Sequence, residues 1–253
     1  MAYSLRTYEY WMTVYRRVWR GTIFTSVLNP VLYLSALGIG LGKLVNNGAN
    51  PLGIPYLDFV APGLLAAVGM QIATIESSFP VRGAIRWNRQ YHAMLATPLR
   101  IRDLVTGHLL YVATRVAIAS ALYLAVIAAF GAVHSPLVIL AWPVAILIGV
   151  AIGAPVSALS AWAENEIFNP LFRFAITPMF LFSGTFFPVT RLPQGLREVA
   201  YATPLWHGVD LIRKLSLGTA TLGLSVLHVA YLAGWFVAGV ILARRAYAGR
   251  LVT

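Results

Sequence analysis

Six apolar runs, at roughly residues 21–42, 57–79, 104–130, 136–162, 168–187 and 222–243, are each about as long as a helix must be to cross a bilayer's hydrocarbon. A soluble core has no use for so many uninterrupted stretches of that length. Composition agrees: 59% of the residues are hydrophobic and only 11% are charged, whereas soluble domains carry about 25% charged residues. The expected fold class is all-α, a polytopic membrane protein with six transmembrane helices. Pro30, Pro62, Pro143, Pro155 and Pro178 lie within the runs. Membrane helices tolerate them when neighbouring groups re-satisfy the freed carbonyls.

Arginines and lysines set the orientation. Twelve lie before the first run, in the 80–103 loop or in the tail, and five lie in the alternate connections. This places both termini in the cytosol. The net charge of +11 collects at the ends of apolar runs, where a membrane protein needs it, so nucleic acid is not an expected partner. The first twenty residues include Arg6, Glu9, Arg16, Arg17 and Arg20 and no apolar core of the kind a cleavable signal needs.

Three segments outside the runs carry pattern. At 100° per residue Leu5, Tyr8, Trp11, Met12, Tyr15, Val18 and Trp19 share one arc of residues 3–20, opposite Arg6, Glu9, Arg16, Arg17 and Arg20. That suits a separate interface helix flat on the inner leaflet, either a plain anchor or one that also meets a cytosolic partner. In the cytosolic loop 80–103 a short helix is expected over 84–96, ended by Thr97-Pro98. Trp87, Tyr91, Met94 and Leu95 recur at helical spacing, with Arg86, Arg89, Gln90 and His92 around them. Such a helix either docks in a groove of a partner or tucks under the bundle. Finally, 188–216 is too polar to cross and too apolar to leave. Pro188, Pro193 and Pro204 break it, Leu192, Leu196, Val199, Tyr201, Leu205 and Trp206 need burial, and Phe187 leads into it. Arg197-Glu198 and Asp210-Arg213 are spaced for local charge relief. The segment either re-enters the membrane or rests on the headgroups.

The loop core AMLATPLRIRDLVTGHLL, the later SGTFFPVTRLPQGLREVAYATPLWHGVDLIRKL and the opening LNPVLYLSALGIGLG resemble the permease subunits of ABC-2-type exporters. The likeness runs most of the chain and is greatest to the branch of nodulation lipo-oligosaccharide and daunorubicin-type exporters. His92 stands where many relatives carry an acidic residue. The resemblance implies one transmembrane domain over 1–253 with six helices, an interface helix at 1–20, a coupling helix in the 80–103 loop and a re-entrant helical pair within 188–216. It also implies two permease subunits, as homodimer or heterodimer, above two ATP-binding cassette subunits. The cargo would be amphipathic or lipid-linked, a glycolipid, lipo-oligosaccharide, polysaccharide or drug, drawn from membrane lipid and exported.

No motor is encoded. The nearest approach to a P-loop, Leu37–Leu44, has Leu at the first glycine position and Leu at the Ser/Thr position. There is no H-E-x-x-H, no G-x-S-x-G and no cysteine. His92, His108, His134, His207 and His228 are far apart in sequence. The chain is expected to bind no cofactor and to have no catalytic residue, leaving ATP and magnesium to the partner subunit. Gly149-x-x-x-Gly153 is a candidate small-residue helix seam.

Ionisable residues within spans are costly and mark gates or pathways. Glu76, Glu164, Glu166 and Arg173 all fall toward the cytosolic side, so Arg173 either pairs with one of these carboxylates or snorkels to lipid phosphate. Arg115 falls near mid-membrane, in a pathway or subunit contact or in a buried structural pair. The competing class is an ATP-independent channel or secondary carrier. An inverted repeat would favour that class, and none is visible.

Overall fold

The computed structural model describes residues 2–47, 52–162 and 170–252. Among them there is no strand. Five helical runs are long and apolar enough to cross a membrane: Tyr3–Asn47, Tyr56–Trp87, Ile101–Ala129, Pro136–Trp162 and Leu222–Leu251. The run expected at 168–187 is represented by the shorter apolar helix Leu171–Phe182.

In chain order, α1 is Ala2–Tyr33, followed by a π-helical stretch Leu34–Leu41 and α2, Gly42–Asn47. Next come α3, Tyr56–Ser77, and α4, Phe79–Arg82, with a π-helical turn Gly83–Trp87. Then follow α5, Gln90–Leu95, α6, Ile101–Ala129, and α7, Ala141–Trp162. After the π-helical Leu171–Ile176 come α8, Thr177–Phe182, α9, Gln194–Tyr201, α10, Pro204–Leu217, and α11, Leu222–Leu251.

The first correction concerns α1. The separate interface helix expected at 3–20 and the span at 21–42 are one continuous helix, because nothing between Arg20 and Gly21 caps or breaks it. Nor does its apolar arc lie on lipid as a unit. Thr7, Trp11 and Tyr15 are buried against α6, while Leu5, Val18 and Trp19 stay exposed. Gly107 of α6 sets the approach: a Cβ there would run into the Ser4 carbonyl and lie 2.6 Å from Thr7 Cβ. Because the obstacle is partly backbone, Gly107→Ala should push the helices apart. It is expected to cost about 1–3 kcal/mol, read as a lowered melting temperature of the detergent-purified chain.

Contacts order the two ends of the bundle. At the near end, Ser4 Oγ donates to Asp103 Oδ1 at 2.9 Å, and Tyr91 packs against both Trp11 and Tyr247. Both terminal segments and the 80–103 loop therefore share one end. At the far end, the Tyr56 hydroxyl donates to the Phe186 carbonyl at 3.0 Å, and Gly218, at φ +72°, closes α10 beside Ser135. The core divides in the same way. One buried cluster centres on Tyr56, Leu65, Met70, Tyr123, Ile148 and Leu205, the other on Trp11, Ile85, Tyr91, Leu104 and Tyr247.

The expected Gly149/Gly153 seam is present. A Cβ on Gly149 would meet Val116 at 2.8 Å and the Gly69 carbonyl at 3.3 Å, and one on Gly153 would meet Ser77 and Ala73 of α3. Without lipid-excluding hydrophobic force between helices, such close backbone approach is what holds them. Gly239 of α11 sits as tightly on Ala154-Pro155 of α7.

Candidate functional site

Glu76 and Arg115 form the central feature. Glu76 is the second last residue of α3, and Arg115 lies about 21 Å along α6. Arg115 Nε donates to Glu76 Oε1 at 3.0 Å, and Tyr111 Oη donates to Oε2 at 3.0 Å. The guanidinium also lies 4.3 Å from the centre of the Tyr15 ring. The side chains are 7% and 16% exposed. The carboxylate thus meets two donors and the guanidinium meets a charge and a π face, which makes burial of both ions tolerable.

This pair takes up Glu76, one of the three carboxylates considered for Arg173, which is exposed on the stretch preceding α8. Glu164 and Glu166, the other carboxylates considered for Arg173, lie outside the described residues. For Arg115 the ion pair is realised, and the pair also lines a cleft.

That cleft, about 300 Å³, opens between α1, α3, α6 and α8. Thr22, Thr25, Ser26 and Asn29 contribute from α1 and Gln71 and Glu76 from α3. The α1 residues fall at i, i+3, i+4 and i+7, so one helix face presents hydroxyl and amide groups in a row. Toward the far end the walls become Tyr33, Leu64, Val68, Tyr123 and Phe180. The lining thus carries fixed charges at its near end and a polar stripe along α1, and turns apolar and aromatic toward the far end. The sequence reading missed the α1 stripe, although its helical spacing made it findable.

The near-end loop corrects a second expectation. The single helix at 84–96 is interrupted at Asn88-Arg89, where Arg89 takes the left-handed conformation at φ 51°. The Trp87 ring folds back over Gly83, where a Cβ would lie 3.2 Å away. The break splits the expected stripe. Arg86, Trp87, Arg89 and His92 are exposed, Gln90, Met94 and Leu95 are partly buried, and Tyr91 is fully buried. Trp11 Nε1 donates to the Tyr91 hydroxyl at 3.2 Å, and Trp11 stacks on Tyr111. Burial, with Tyr247 alongside, holds the Tyr91 phenol well above its ordinary pKa, so it stays neutral. Tyr91 therefore ties the loop to α1 and α11 at once.

At the far end α9 and α10 form a helical hairpin. Pro188 precedes a short 3-10 turn at Val189–Arg191, and Thr203 caps α10 with Pro204 in its first turn. The hairpin's tip reaches inward: Tyr231, about 13 Å along α11, donates to the Ala202 carbonyl. Gly208 abuts Ile148, about 10 Å into α7. Phe187 packs on Phe182, and Trp206 on Tyr201 and His228.

The local charge pairs differ from those read by spacing. Asp210 pairs with Lys214 at 2.6 Å and with His228 Nε2 at 3.0 Å, and Arg213 is not its partner. Arg213 instead donates to the carbonyls of Phe59 at 3.0 Å and Gly184 at 2.7 Å, over the Phe59 ring. Arg197 donates to the carbonyls of Thr190 and Leu192 and leaves Glu198 to solvent or headgroups. The histidines are not all apart: His207 Nδ1 and His228 Nδ1 are 2.9 Å from each other, 21 positions apart in sequence. Among the described residues no group of three side chains could hold a metal ion.

The model of the ABC-2 type transporter family matches residues 8–217. Nodulation protein J of Rhizobium leguminosarum bv. viciae is 33% identical over 249 residues, covering 93% of this chain and 94% of that protein. Its counterpart in Rhizobium leguminosarum bv. trifolii is 36% identical over 218 residues, covering 82% and 81%. That of Rhizobium meliloti (strain 1021) is 32% identical over 217 residues, covering 83% and 82%. With its multiple apolar crossings and a match over most of its length, this chain is an integral membrane transport component that belongs to the ABC-2 type transporter family.

Proposed function

We propose that the chain is the permease subunit of an ATP-driven exporter. It would pair with a second permease subunit and two ATP-binding subunits in the bacterial cytoplasmic membrane. Both termini would face the cytosol, with a sixth crossing completed through Leu171–Phe182. The cargo would be amphipathic or lipid-linked, taken from the inner leaflet and delivered outward.

The two-faced cleft carries this reading. A cargo with a polar head and an apolar tail suits a cleft lined by Thr22, Thr25, Ser26 and Asn29 of α1 and Gln71 of α3, which becomes apolar along the same α3 face at Val68 and Leu64 and at Phe180. Uniformly apolar surface would offer the head nothing to replace its water. Two other placements support the assembly. Arg86, Trp87, Arg89 and His92 project from the cytosolic loop, the residue types that anchor interfaces. The α9–α10 hairpin, dipping in from the far end, would close the outer end of the route as a re-entrant pair.

Reconstitution tests the proposal. With its ATPase partner in proteoliposomes the chain is expected to move cargo only when ATP is present. Ser26→Leu with Asn29→Leu should reduce that transport at least tenfold while ATPase association stays unchanged. Uphill transport by the chain alone, without nucleotide, would overturn the proposal.

A further inference from the structure

A second groove lies on the opposite side of the bundle from the cleft. Its walls are α6 and α11, and Val150 of α7 forms its floor. Leu109, Leu110 and Ala113 face Phe236, Val240 and Ile241 across a volume of about 410 Å³. No acidic residue lines it.

Its charge is confined to one end. Arg244 and Thr106 line its near end. Arg102 is one turn before Thr106 on the same face of α6, and both arginines are exposed. Neither has a carboxylate partner among the described residues. From Thr106 to Ala113 the groove runs about 10 Å, most of the hydrocarbon depth of one leaflet, about 15 Å.

We propose that this groove is a binding site for an anionic phospholipid of the inner leaflet, with an acyl chain between α6 and α11 and the phosphate held by Arg102 and Arg244. An apolar channel ending in two unneutralised guanidinium groups matches an apolar tail ending in a phosphate. A bulk lipid would fill the channel equally well without the arginines, so selectivity for negative charge is what distinguishes a site from ordinary solvation. The site uses none of the cleft residues, so it stands apart from the route proposed for cargo.

Native mass spectrometry of the delipidated, detergent-purified chain tests this with dioleoyl phosphatidylglycerol and dioleoyl phosphatidylcholine. One phosphatidylglycerol should be retained per chain, at least tenfold in preference to phosphatidylcholine. Arg102→Gln with Arg244→Gln should abolish the preference. Ala113→Phe with Val237→Phe, both at the groove surface, should displace both lipids. The melting temperature of each double variant, taken without added lipid, checks that it is folded. Equal retention of the two lipids by the native chain, or undiminished phosphatidylglycerol preference in the folded arginine variant, would overturn the proposal.

Discussion

Arg115→Ala is expected to abolish transport and to lower the stability of the purified chain by about 3–5 kcal/mol. The loss comes chiefly from what remains. Glu76 keeps the Tyr111 hydroxyl but loses the guanidinium 3.0 Å away, so a carboxylate is left nearly dry with one neutral donor. The Tyr15 ring, stacked under that cation, loses its partner as well. Two double variants separate stability from function. Glu76→Leu with Arg115→Met removes both charges, so no ion is stranded. It should recover most of the melting temperature and still fail to transport, because the polar end of the cleft is gone. Exchanging the charges, Glu76→Arg with Arg115→Glu, should restore transport in part if attraction between the two helices is what matters. The measurements are thermal unfolding in detergent and ATP-dependent cargo uptake in inverted vesicles. Single variants with unaltered transport would remove the pair from any part in it.

The helices and the ends of the bundle were legible because hydropathy and basic residues are local signals. Run lengths near 20 residues located five crossings, and arginine counts placed Arg6, the 80–103 loop and Arg250 together. Contacts among Ser4, Asp103, Tyr91 and Tyr247 agree with that. Partners were not legible, because they join distant positions with no period between them. Glu76 and Arg115 are 39 positions apart, and Trp11 and Tyr91 are 80. Local spacing misled in the Asp210 network, where i+3 and i+4 both sit on one helix face. Lys214 takes the pair, because Arg213 donates instead to the carbonyls of Phe59 and Gly184. The amphipathic arc of residues 3–20 was real. Its burying surface is another helix at Gly107 rather than lipid alone, which no property of the arc itself reveals.

The loop at the near end divides residues that hold the fold from residues that would meet the ATPase, and two sets of substitutions should part accordingly. Tyr91→Ala empties a fully buried aromatic site between Trp11 and Tyr247. It is expected to cost about 3–5 kcal/mol. Tyr91→Phe keeps the ring but strands the Trp11 N–H and takes a hydroxyl from beside Tyr247, for about 1–3 kcal/mol. Replacing Arg86, Trp87 and Arg89 together by alanine touches exposed side chains, each worth no more than about 0.5 kcal/mol to folding. Under the proposed coupling role those three are anchors, and truncating an anchor of this kind costs about 2 kcal/mol of association. Co-purification with the ATPase should then fall at least about thirtyfold, with the melting temperature of the permease nearly unchanged. The opposite outcome, a destabilised chain that still holds its ATPase, would mean that the exposed arginines and Trp87 serve the bundle and that contact is made elsewhere. A middle result is equally readable. If Tyr91→Phe folds and binds the ATPase but hydrolysis no longer drives transport, the Trp11–Tyr91 hydrogen bond is the link that carries loop movement into α1, which lines the cleft about three and four turns further on at Thr22 and Thr25.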